Sequence, residues 1–313
     1  MAVQLERTFS ISANIWNHLN ADYSLYEARI KDSERNKTHF EWLKEFPIRE
    51  LKKNGFLPNI KDYKILLEKL LELFSIPSPE QWKNYYEAKS VNFRKSDCFA
   101  HNMKHIITWI RTGELLASEI EAKPYFKEVF KESFKKIRQL TLLEPKEFIS
   151  NLKSICNDSG VILVFVPEFE KTHISGATRW LTAEKALIIM SLRYKTNDHF
   201  WFTFFHEAGH ILLHSKKQVF IDDELKGSKE EEEANQFASH LLIPENEYKQ
   251  FISKKLFSQT EIKKFAEKIA IHPGIIVGRL QYDRLINFKY HNDLKEYWTI
   301  NDTTSFFIKD RKS

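Results

Sequence analysis

Phe200-Trp201-Phe202-Thr203-Phe204-Phe205-His206-Glu207-Ala208-Gly209-His210-Ile211-Leu212-Leu213 is an apolar stretch broken by one polar triad. The triad has H-E-x-x-H spacing. On a helix, His206 and His210 are offset by about 40° of rotation and about 6 Å of rise, so both imidazoles can face one ion. Glu207, next to the first histidine, is placed to hold a water and accept its proton; zinc would bring that water's pKa to about 7. The flanking aromatic and aliphatic residues bury this helix. Burying two histidines and a glutamate without partners costs several kcal/mol, and a metal removes that difficulty.

Zinc needs a third protein ligand. His214 continues the four-residue series, but it lies about 12 Å along the axis from His206 and reads as a helix-end residue. A better candidate is the run Glu231-Glu232-Glu233-Ala234-Asn235-Gln236-Phe237-Ala238-Ser239-His240-Leu241-Leu242-Ile243-Pro244. On a helix, Glu231, Asn235, Ala238 and Leu242 share a face. The small Ala234 and Ala238 permit close approach to another backbone. Glu231 would then reach the ion, and Asn235 could accept a hydrogen bond from a ligand imidazole. A competing reading is local: acids at a helix start complement its dipole, and Ser228 with Glu231 fits a capping box.

Upstream, Val161–Val166 is a short apolar run closed by Pro167, the pattern of a buried strand; Gly176–Leu181 and Ala186–Leu192 read as two more strands. The first 150 residues read as helices. Tyr63, Leu66, Leu67, Leu70, Leu71 and Phe74 mark one buried face, and Ser78 with Pro79 signals a new helix start. Further helices are expected over 101–110, 125–140 and 145–156. His101 and His105 also stand four apart, but without a carboxylate in the same motif they read as packing or surface residues. The fold class is therefore α+β: a mainly helical N-terminal half, then a small sheet with the H-E-x-x-H helix.

Of 313 residues, 42% are hydrophobic and 29% charged, which excludes a disordered or collagen-like chain. The count of 25 Phe against 8 Gly favours packed helices over a turn-rich β protein. No run reaches the roughly 20 apolar residues of a membrane span, and Met1–Arg7 lacks the apolar core of a secretory signal. Cys98 and Cys156 cannot form a disulfide framework, so a reducing, cytoplasmic setting is expected. The net charge of +5 is spread among charges of both signs and demands no particular partner.

The pair HEAGHILLH (206–214) and EEEANQFASHLLIP (231–244) resembles the ImmA/IrrE-type metallopeptidases, which are gluzincin-like. The resemblance implies His206, His210 and Glu231 as zinc ligands and Glu207 as catalytic general base. Its E-x-x-x-[ND] pattern is met by Glu231 and Asn235; Glu230, Glu232 or Glu233 takes the place of Glu231 if the register differs. GATRWL (176–181), ALIIMSLR (186–193) and IHPGIIVGRLQYDRL (271–285) are similar to versions fused to an XRE-type helix-turn-helix, and FPIRELKKNGF (46–56) and NFRKSD (92–97) resemble the helical connector of those fusions. LERTFSISANIWNHLNADYSL (5–25) resembles the last two helices of a HigA-like DNA-binding domain, with the groove-reading helix absent: either Met1 is an internal start or the element has been lost.

The resulting domain reading is 1–31 as a helix-turn-helix remnant, 32–157 as a helical connector and 158–313 as a metallopeptidase domain. The implied function is zinc-dependent cleavage of a protein such as a transcriptional repressor, the kind of substrate that relatives cut. A peptide would add along an edge strand within 176–192, and His240, Tyr248 and Arg279 are candidates to stabilise the oxyanion. The alternative is an antitoxin-like regulator, with a toxin or operator as partner and the zinc domain as sensor or structural module. Specific DNA binding is not expected of this chain, because only Arg7 and Arg29 are basic before Lys31.

Overall fold

The computed structural model describes residues 1–36, 39–87, 97–191, 193–216, 220–221, 228–300 and 306–308. They form two compact units, Met1–Glu87 and Ala88–Ser313.

The first unit is helical. Helices Ala2–Phe9 and Ala13–Asn36 begin it. Two short helices were expected here, but residues 13–36 contain neither Gly nor Pro, and the second helix continues through position 31 to Asn36. Helix Tyr63–Phe74 is capped by Asp62, whose side chain accepts from the amides of Lys64 and Ile65 at 2.8 and 3.4 Å. It buries Leu66, Leu67, Leu70, Leu71 and Phe74 as expected, and Leu73 as well. Tyr63, read from its spacing as buried, is 54% exposed and packs at the surface against Phe40. Ser78 stands before Pro79 at the head of the one-turn helix Pro79–Trp82, but its side chain makes no capping bond. Trp82 is held instead by edge contacts with Phe46 and Phe74.

The second unit is built on a four-stranded sheet of order β1-β3-β2-β4, with β1 Val161–Phe165, β2 Gly176–Thr182, β3 Lys185–Met190 and β4 Phe220–Ile221. β1 and β3 are parallel, whereas β2 runs antiparallel to both β3 and β4. β1 is buried at every position, the pattern of a strand covered on both faces. On one face Val161, Leu163 and Phe165 join a core with Phe200, Trp201 and Phe204. The expected peptide-binding edge within 176–192 is narrower than read: β3 is central, and β2 pairs with β4 through Ala177 and Thr178.

The division between units falls inside the segment read as a connector. Helices Asp97–Ser118, Lys127–Gln139 and Pro145–Asp158 belong to the same unit as the sheet. The buried Trp109 shows why, its indole N–H donating to the Val166 carbonyl at 3.1 Å. His105 Nδ1 lies 3.0 Å from the Glu170 carbonyl, a packing role; the side chain of His101 and residues 92–96 of the connector motif lie outside the described residues.

After the sheet come a motif-bearing helix, Asn197–Leu213, and an acidic helix, Lys229–Leu242. Helices Glu245–Ser253, Gln259–Ile269 and Pro273–Tyr282 follow. Arg138, on the earlier helix Lys127–Gln139, donates to the carbonyls of Leu241, Leu242, Ile269 and Ala270 at 2.6–3.3 Å. One guanidinium thus satisfies the ends of two helices whose last carbonyls have no partner within the helix. Among the described residues, no helix is long and apolar enough to cross a membrane.

Candidate metal centre

The motif helix packs its polar triad inward. His206, Glu207 and His210 are 2%, 0% and 1% exposed. The acidic helix lies close across them because Ala234 and Ala238 are buried there and Gly209 has no side chain to hold it off. A Cβ at Gly209 would stand 3.4 Å from the Ala234 Cα and 3.0 Å from the Phe237 ring. Small residues on both helices therefore set the separation across which side chains meet.

What meets is one group of three. The Nε2 atoms of His206 and His210 are 3.0 Å apart, and Glu231 places Oε2 at 3.2 Å from the first and Oε1 at 3.4 Å from the second. Ser228 caps the acidic helix, accepting from the Glu231 amide at 3.2 Å, so the backbone half of the expected capping box forms. The Glu231 carboxylate turns to the imidazoles instead of back to its own helix start. Glu233 is 43% exposed and turns to His214.

The outer nitrogens of both histidines are fixed. Asn235 Oδ1 lies 3.0 Å from His206 Nδ1. An amide oxygen only accepts, so this nitrogen carries the proton and Nε2 presents a lone pair. His210 Nδ1 meets His214 Nδ1 at 2.9 Å, and His214 Nε2 meets Glu233 Oε2 at 3.2 Å. The carboxylate accepts a hydrogen bond from the His214 Nε2–H, which leaves His214 Nδ1 to accept from the His210 Nδ1–H. His210 Nε2 then also presents a lone pair. His214 is therefore more than a helix end: it braces a candidate ligand one turn away, a role the sequence reading missed.

Two lone pairs and a carboxylate pointed at one another repel unless a cation lies between them. Two imidazole nitrogens and one carboxylate oxygen are a donor set that suits zinc. Protonation matches: burial lowers the His210 imidazole to about 4. At neutral pH the histidine is neutral and the glutamate ionised, as metal binding requires.

The Glu207 carboxylate packs against β2. The Thr178 hydroxyl donates to its Oε2 at 2.5 Å, and Gly176 makes room for it. A Cβ at Gly176 would stand 2.7 Å from Glu207 Oε1. Neither residue was singled out from sequence for a role at the site, although both lie in the GATRWL stretch. The oxyanion candidates are engaged elsewhere. Tyr248 donates to Asp283 at 2.6 Å, Arg279 binds the same carboxylate at 2.8 Å, and His240 is 3.7 Å from Glu245.

Residues 158–277 match the model of the Peptidase_M78 family, the IrrE N-terminal-like domain. The matched segment contains His206, His210 and Glu231, along with Glu207 and both β2 partners. The match supports a metallopeptidase domain of the ImmA/IrrE type over these residues. No curated protein matches the chain.

Proposed function

We propose that this chain is a zinc-dependent metallopeptidase of the regulatory type, acting on a protein such as a transcriptional repressor. The observation that carries the reading is the convergence of His206, His210 and Glu231, with Glu207 buried beside them, inside the segment that matches the family. The protein substrate follows the resemblance to relatives that cut repressors. His206, His210 and Glu231 would hold the ion and leave a fourth position for chemistry. When bound, zinc supplies a positive charge that acidifies water and polarises a carbonyl.

The chain's own residues do the rest. Glu207 accepts the proton of the attacking water and returns it to the leaving amine. Thr178 holds one oxygen of that carboxylate, so the base does not swing away. Asn235, His214 and Glu233 keep both imidazoles in the tautomer and orientation the ion needs.

Glu207→Gln tests the reading. The change is nearly isosteric and deletes only the base, so the variant should keep stoichiometric zinc and a native fold. Cleavage of a casein-derived peptide pool should fall by about 10²–10⁴-fold. An unchanged rate would remove the peptidase reading.

A further inference from the structure

The first unit carries an apolar stripe that its own fold leaves open. On helix Ala13–Asn36, the side chains of Ile15, Leu19, Tyr23, Tyr26 and Ile30 are 41–62% exposed. At 100° per residue they fall within an arc of about 80°, over a length of about 24 Å. Helix Ala2–Phe9 does not cover them. It folds back on Trp16, whose ring lies 6.1 Å from that of Phe9 and whose indole N–H donates to the Ile11 carbonyl at 3.2 Å. Exposed apolar side chains scattered singly are ordinary, but five in one row mark a surface that meets something.

The spacing tells what shape the partner has. Leu19, Tyr23, Tyr26 and Ile30 follow one another at four, three and four residues, the a/d pattern of a seam that packs against another helix. Beside this seam, Asp22 and Arg29 occupy g positions and Asn20 and Glu27 occupy e positions, all four exposed. A parallel pair in register would set Asp22 against the partner's Glu27, a like-charge contact. An antiparallel pair with its two-fold axis between positions 24 and 25 avoids it. Tyr23 then faces the partner's Tyr26, Leu19 faces the partner's Ile30, and Asp22 faces the partner's Arg29. Symmetry repeats each contact, so opposite charges flank the apolar layers twice. The Tyr23 hydroxyl already donates to Glu27 of its own helix at 3.2 Å, so covering the ring strands no donor.

We propose that helix Ala13–Asn36 is a dimerisation element that takes the same helix of a second copy of this chain in antiparallel register. The proposal is independent of the peptidase reading, since none of these residues belongs to the unit that holds the candidate centre. A seam of about two heptads is small for a stable interface, so the pair forms and separates at micromolar concentration.

Sedimentation velocity of the full chain over about 1–200 µM tests it. The chain should pass from monomer to dimer within that range. Leu19→Lys combined with Tyr26→Lys should be monomeric throughout and, in dilute solution, keep the wild-type Tm, because both positions are exposed. Asp22→Arg sets like charges against the partner's Arg29 and should weaken the dimer about tenfold; Arg29→Asp should do the same. These two single variants, mixed, should pair with each other, because opposite charges meet again. The double variant, Asp22→Arg with Arg29→Asp, should recover the wild-type affinity for the same reason.

A chain that stays monomeric to the top of the range overturns the proposal. So does a dimer indifferent to the lysine substitutions, which another face would be holding. A dimer tightened by Asp22→Arg would have parallel helices, with the added cation against the partner's Glu27, and would overturn the antiparallel register. Monomers that sediment with phosphatidylglycerol vesicles would show that this face meets a lipid surface, which also overturns the proposal.

Discussion

Alanine at position 176 should press a methyl group into the carboxylate of Glu207. The added carbon would lie 2.7 Å from Oε1 and 2.9 Å from Cγ of Glu207, and 2.8 Å from the Thr203 methyl. All three contacts are well inside van der Waals separation, and all three partners are packed: Glu207 is 0% and Thr203 5% exposed. Overpacking of this kind costs about 1–3 kcal/mol. For a unit of this size, that lowers Tm by about 2–12 °C. The carboxylate is also displaced, and a misplacement of about 1 Å at a reacting group costs about 10²-fold in rate. Calorimetry of Gly176→Ala, alone and combined with Glu207→Ala, reads the first effect. The penalty should shrink in the double variant, because only the Thr203 contact remains. Peptide cleavage by the zinc-loaded single variant reads the second effect. A Gly176→Ala chain with wild-type Tm and wild-type cleavage would refute the reasoning.

Metal analysis should find about one zinc per chain, most of it lost in His206→Ala and in Glu231→Ala; full zinc in Glu231→Ala with loss in Glu230→Ala or Glu232→Ala would show that another register holds the ion. His214→Phe keeps the volume near His210 but removes the acceptor for its Nδ1 proton, so chelator competition should show zinc affinity lower by about 10–100-fold, with unaltered affinity refuting the brace. Titrated at physiological salt against DNA from upstream of its own gene, the chain should bind no more tightly than to scrambled competitor. Nanomolar specific binding would shift the favoured function toward a repressor or antitoxin.

Local pattern announced much of the second unit. The apolar run ended by Pro167 announced β1, and the segments 176–181 and 186–192 announced β2 and β3. That His206 and His210 could face one ion followed from helical spacing, whereas the choice of Glu231 within the acidic run was what the family resemblance implied, and the Asn235 contact followed from the face it shares with Glu231. What stayed hidden depends on contacts between segments. Thr178 reaches Glu207 only because β2 lies against the motif helix, and a threonine in a strand carries no mark of such a role. His214 was weighed as a direct ligand and set aside on distance, without asking what its ring could do for the nearer His210. β4 is two residues long, too short for any periodicity. Lys295 donates to Asp198 across a separation of 97 residues. The capping serine and apolar spacing of helix Gln259–Ile269 were readable but went unused: Ser258 accepts from Glu261, and Ile262, Phe265, Ala266 and Ile269 are buried.

Arg138 limits how this protein can be cut into parts. The segment that matches the family begins at residue 158, twenty residues after this arginine. A fragment starting there would retain the acidic helix but lose the cation bound at its far end, along with the partner of helix Gln259–Ile269. Four carbonyls would then need water in a place now filled by a side chain. The acidic helix also carries Glu231 in its first turn and Asn235 one turn on, so loosening its far terminus loosens the element that holds both. Sequence kinship and mechanical integrity thus have different borders in this chain: the smallest piece that keeps the centre in shape is longer than the piece that resembles its relatives.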